Sequence, residues 1–166
     1  HLSIRRQRQM CIRDRAVAGV IAWLTSTARR LDRLHIRLDR SRDALQAALD
    51  RRCAVIAAII PSLAPVARAV EEVRLTPRDL LSRLKAEDDL GLKVSELSAR
   101  STAGALTEAA IRELQDADTR VMLALRFYND AVADTRSLRL RPVVRALRLA
   151  GTAAMPEYAV LRQLPG

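Results

Sequence analysis

Apolar residues recur at helical spacing along two long stretches of the chain. Within 109–135, Ile111, Leu114, Asp118, Val121, Leu125, Tyr128 and Val132 fall three or four apart, the spacing of one helix face. Leu123 and Phe127 form a second apolar strip, so this helix is expected to be covered on two sides. In the N-terminal half, Leu31, Leu34, Leu38, Leu45, Ala48, Val55 and Ile59 keep a heptad-like register, interrupted by Ser41 and Arg52. No Gly or Pro occurs between Val20 and Ile60, so one continuous helix is predicted there. Pro61 and Pro65 end or kink it, and 66–73 adds further turns. Thr76-Pro77-Arg78-Asp79 has the cap, N1 proline and acidic N3 residue of a helix start. That helix is expected to stop near Leu90, with Gly91 as its terminator and a short helix and loop over 92–104. The last long helix runs over 106–140 and is closed by Arg141-Pro142. A short basic helix, 142–150, ends at Gly151.

The pattern predicts an all-α fold, an antiparallel helical bundle with two long helices. The stretches 31–59 and 111–138 are of nearly equal length, ~42 Å as helix, which suits packing along their whole extent. Only four aromatic residues are present, which argues against a β-sandwich or barrel. Asp118 stands in the predicted seam, where an unpaired carboxylate is costly. With antiparallel helices its natural partner is Arg51 or Arg52; the alternative is a seam open to solvent at that point.

The charge balance depends on how the first fifteen residues are read. The run 5–15, RRQRQMCIRDR, resembles the translation of a transposase-type sequencing adapter, and 1–15 is set aside on that ground. Removing Arg5, Arg6, Arg8, Arg13, Arg15 and Asp14 lowers the formal charge from +10 to +6. Cys11 goes with them, leaving Cys53 with no disulfide partner. The apolar run 16–24, AVAGVIAWL, spans only ~14 Å as helix, too short to cross a bilayer by itself. It directly follows the adapter-like run, so 16–26 is expected to be the C-terminal end of a truncated transmembrane helix, Trp23 lying at the interface. The gene would then encode about ten or more further apolar residues before Ala16. Residues 27–160 form the expected bundle and 161–166 a tail.

With these elements placed, the chain resembles the LemA family over most of 16–160. The strongest segment is Arg126-Phe127-Tyr128-Asn129-Asp130-Ala131-Val132, similar to the family's Arg-x-Phe/Tyr-Tyr-Asn-x-x-Val signature in its last long helix. The apolar start running into ARRLDRLHIRLDRSRDALQAALDRR, Pro142 and the Met155-Pro156-Glu157-Tyr158 segment follow the family's order. The chain departs where relatives have Asp-Leu-Ile-Pro-Asn-Leu: 54–59 keeps apolar residues and lacks those polar ones. The resemblance implies a membrane-anchored antiparallel helical bundle and supplies no catalytic residues.

Candidate chemistry is sparse. Arg112-Glu113-Leu114-Gln115-Asp116 resembles part of a Nudix box, but Ser98, Gly104 and Ala117 stand where its Gly and two Glu are required. His35 has no second ligand at metal spacing, and Cys53 has no histidine partner. Tyr128, Asn129 and Asp130 read as a core tyrosine with two residues tying a neighbouring helix. No enzyme activity, cofactor or metal is therefore expected. Nucleic acid is disfavoured as a partner by the scarcity of stacking aromatics and by acids alternating with arginines in 29–43. The expected partners are a membrane, through a single-pass anchor and an anionic lipid surface, and an unidentified protein. Antiparallel packing would bring Arg136, Arg139, Arg141, Arg145 and Arg148 beside Arg29, Arg30, Arg33 and Arg37. By the positive-inside rule that end faces the membrane and the domain is cytoplasmic.

Overall fold

The structure, a computed structural model, describes residues 2–100, 106–147, 149, 151 and 154–162, with side chains from 12 onward except that of 143. The described residues are helical for the most part and contain no strand. Helix α1 runs unbroken over Leu2–Ile59; it is continuous over 20–59 as expected, and it also takes in 2–15, the adapter-like run set aside above. A 3₁₀ turn, Pro61–Leu63, and helix α2, Ala64–Glu71, reverse the chain. Each opens with a proline in its first turn, where a missing N–H has no helical partner to lose.

Helix α3 spans Leu80–Arg100. The Thr76 hydroxyl accepts from the Asp79 N–H at 3.1 Å and donates to its carboxylate at 2.6 Å, closing the turn that leads into the helix. The expected stop at Gly91 does not occur. Gly91 is buried within α3, and the apolar stripe Leu80, Leu84, Leu90 continues past it to half-buried Val94. Burying one continuous stripe outweighs the ~1 kcal/mol that a mid-helix glycine costs.

Helix α4, Glu108–Arg139, is capped by the Thr107 hydroxyl, which accepts from the Ala110 N–H at 3.2 Å. A short helix α5, Pro142–Ala146, follows, and 154–160 has no regular secondary structure. Partners across the α1–α4 interface fix its direction: Arg37 meets Asp134, Arg52 meets Asp118 and Leu31 clusters with Leu138. As numbers rise on one helix they fall on the other, so α1 and α4 are antiparallel. Arg83 reaches Asp50 and Glu87 reaches Arg52, so α3 runs with α1.

The core divides into three clusters along α1. Leu38, Leu45, Leu49, Val121, Tyr128 and Val132 form the central one. Cys53, Ile56, Ala67, Val70 and Leu90 form the second, under α2. Leu31, Leu138 and Val144 form the third, at the opposite end. Helix α4 is covered on one side only: Leu123 and Phe127 remain 54% and 56% exposed, contrary to the two-sided burial expected of them. At 100° per residue they lie on the flank away from Asn129 and Arg136, which the C-terminal segment occupies.

Candidate functional site

Three polar constellations stand out. The first is a buried ion network joining α1, α3 and α4. Arg52 Nε lies 2.6 Å from Asp118 Oδ1, and its NH1 lies 3.1 Å from Glu87 Oε2. Glu87 Oε1 accepts from Arg83 at 2.9 Å, and Arg83 reaches Asp50 at 2.8 Å and the carbonyl of Val73 at 2.7 Å. The Arg83 and Glu87 side chains are wholly buried. Of the two arginines considered for Asp118, Arg51 points outward and sits 3.8 Å from Glu113. Burial lowers the Arg52 guanidinium, but the hydrogen bond and charge of Asp118, with the charge of Glu87, outweigh it and raise its pKa. The Cys53 thiol donates to Glu87 Oε1 at 3.3 Å, and burial, reinforced by the charge of Glu87, pushes its pKa up. A thiol held protonated inside a core is no nucleophile.

Arg83 and Glu87 did not figure among the sequence candidates. Their signal was present: both fall in the α3 register set by Leu80, Leu84 and Leu90, where a charged pair at i, i+4 is out of place on an apolar stripe.

The second constellation holds the C-terminal segment. The Tyr128 hydroxyl donates to the Glu157 carbonyl at 3.1 Å. Asn129 donates through Nδ2 to the Ala159 carbonyl at 2.8 Å and accepts from its N–H at 2.9 Å. Arg136 donates to the Pro156 carbonyl at 3.0 Å and covers the Tyr158 ring at 5.4 Å, and Arg139 donates to the Ala154 carbonyl at 2.8 Å. Asn129 thus ties the non-helical C-terminal backbone, and not the neighbouring helix expected of it and Asp130, while Tyr128 sits in the central core cluster. Asp130 is exposed, as are Arg126 and Phe127, while Val132 is buried. Burial raises the Tyr128 pKa.

The third is the basic end. Arg29, Arg30, Arg33, Arg37, Arg141 and Arg145 are exposed, and Arg30 and Arg141 line one cavity. Arg37 is 2.9 Å from Asp134. Arg136 and Arg139, grouped with them from the sequence, are half-buried and engaged with the C-terminal backbone. Arg148 lies outside the described residues.

Compared with protein-family models, curated proteins and solved structures, the chain matches none.

Its own geometry therefore carries the functional argument. Among the described residues no group of His, Cys, Asp and Glu is arranged to hold a metal ion. His35 Nε2 is buried without a hydrogen-bond partner among them, and the ring sits partly exposed on α1. No described helix is long and apolar enough to cross a membrane. At its N-terminal side α1 stands clear of the bundle: Val17, Val20, Ile21 and Trp23 are about half exposed, at 57%, 56%, 55% and 47%. Large apolar side chains and arginines so close together make this end amphipathic.

Proposed function

We propose that the protein is a LemA-like scaffold at the cytoplasmic membrane surface, with 16–26 as the end of its membrane helix and no catalytic activity of its own. The observation that carries this reading is the amphipathic end of the bundle. Exposed Val17, Val20, Ile21 and Trp23 lead directly into Arg29, Arg30 and Arg33, and antiparallel packing returns Arg141 and Arg145 to the same end. An apolar helix followed by a basic collar follows the positive-inside rule. Each arginine near an anionic leaflet contributes ~1 kcal/mol, so five of them hold the bundle end against lipid without any specific contact. The rest of the surface, including the Leu123 and Phe127 strip, is left for a protein partner.

Co-sedimentation with vesicles tests the reading. The chain is expected to bind vesicles containing phosphatidylglycerol at low salt and to release as salt rises. Replacing Arg29, Arg30, Arg33, Arg141 and Arg145 with Gln should weaken that binding. Equal binding to neutral and anionic vesicles would overturn the surface claim, and tighter salt-sensitive binding to RNA would favour a nucleic-acid protein instead.

A further inference from the structure

The basic end is not a uniform charged surface. Between α1 and the corner joining α4 to α5 lies a cavity of about 360 Å³, lined among others by Trp23, Ser26, Arg30, Leu138, Arg141 and Val144. At ~30 Å³ per water it has room for roughly a dozen waters, enough for a small headgroup and too little for acyl chains. Its floor is apolar and firm, since Leu138 and Val144 belong to the third core cluster. Its rim is cationic. Arg30 and Arg141 have no acidic group within 4 Å among the described residues, whereas Arg52, Arg83 and Arg120 each have one at 2.9 Å or less. The Ser26 hydroxyl makes no hydrogen bond within the described protein, while that of Thr27 is spent on the Trp23 carbonyl at 2.9 Å. The cavity therefore offers two guanidiniums and a spare hydroxyl above an apolar floor. The exposed apolar turns of α1 adjoin it through Trp23.

We propose that this cavity is a binding site for the headgroup of an anionic phospholipid, its phosphate held by Arg30, Arg141 and Ser26. The glycerol and first acyl carbons lie against Trp23 and the apolar floor, and the chains leave beside Val20 and Ile21. Guanidinium pairs suit phosphate because their planar donors match its oxygens. A wholly polar anion would leave the Leu138 and Val144 surface uncompensated, which favours a lipid over free phosphate. The site rests on the membrane-surface reading above and adds to it one lipid in one place.

Trp23 is the only tryptophan in the chain, so its fluorescence reports the cavity directly. The full chain is titrated with short-chain phosphatidylglycerol below its micelle concentration, with short-chain phosphatidylcholine and with inorganic phosphate. A saturable change with phosphatidylglycerol is expected, with phosphatidylcholine and phosphate far weaker. Arg30→Gln with Arg141→Gln should weaken that binding about tenfold or more, the loss of one charge-assisted contact or better. Arg29→Gln with Arg145→Gln, outside the cavity, should change it less than about twofold by comparison. An equal response to phosphatidylcholine, equal affinity for inorganic phosphate, or equal losses in the two double variants would each overturn the site. Where anionic vesicles are still bound in those cases, the membrane-surface reading stands without the site. Saturation by the monomeric lipid without vesicle binding would uphold the site and overturn that reading.

Discussion

Glu87 is wholly buried between two arginines, one on α1 and one on its own helix α3. Glu87→Ala leaves Arg52 and Arg83 short of a buried counter-charge and is expected to cost ~3–5 kcal/mol. Asp118 is partly exposed, and Arg52 keeps Glu87 when it is removed. Asp118→Ala should therefore cost less, ~1–3 kcal/mol. Urea denaturation orders the two; an Asp118→Ala curve that overlays the parent would show that the 2.6 Å contact contributes nothing. Cys53 predicts a pH effect. Its folded pKa stands well above that of a free thiol, so the unfolded chain gives up this proton first as pH rises. Its contribution is complete below about pH 9 and is lost above it, by at most ~1.4 kcal/mol per pH unit. Cys53→Ala should flatten the fall in stability between pH 9 and 10 (about the range where only the unfolded thiol ionises); an unchanged slope would show that the thiol ionises freely in the fold.

At the scale of elements, the heptad stripes of α1 and α4 were legible because each packs one face along its length, so spacing alone located them. Gly91 misled because a glycine signals a helix end only when the following residues have nothing to bury, and Val94 packs against the second core cluster. Leu123 and Phe127 misled for the converse reason: an apolar strip shows that a face is apolar, not that the fold supplies a cover. The C-terminal segment was not legible as a packed element, since side chains of α4 hold its backbone carbonyls and an N–H. Asn129 is its central grip on Ala159, which is 1% exposed. Asn129→Ala orphans a buried N–H and a buried carbonyl at ~1–3 kcal/mol each. Asn129→Asp keeps the acceptor and loses the donor, so it should fall between parent and alanine in thermal melts. Limited proteolysis should cut 154–161 sooner in both variants; a segment equally resistant in all three proteins would contradict the grip.

For the whole molecule, antiparallel α1 and α4 place the start of α4 at the end far from Trp23. On the proposed topology Ala109, exposed near that start, lies in the cytoplasm. A cysteine introduced there is expected to resist an impermeant maleimide in intact cells and to react once the cells are broken. Labelling from outside would reverse the topology while leaving the bundle as described.

Periodicity, prolines and the near absence of aromatics were enough to determine an all-α chain, the bounds of its last long helix, the C-terminal end of its first and its basic character. These are properties of local spacing and composition, which need no knowledge of what lies opposite. Tertiary structure decided the rest. It selected Arg52 over Arg51 for Asp118, because Arg52 points inward and the residue before it, 100° back round the helix, points out. It brought in Arg83 and Glu87, distant in sequence, to complete the buried charges. It took Arg136 and Arg139 out of the basic collar and gave them to the C-terminal backbone. Most of all it set Trp23, Arg30 and Arg141 around one cavity, a juxtaposition that exists only because α4 returns alongside α1.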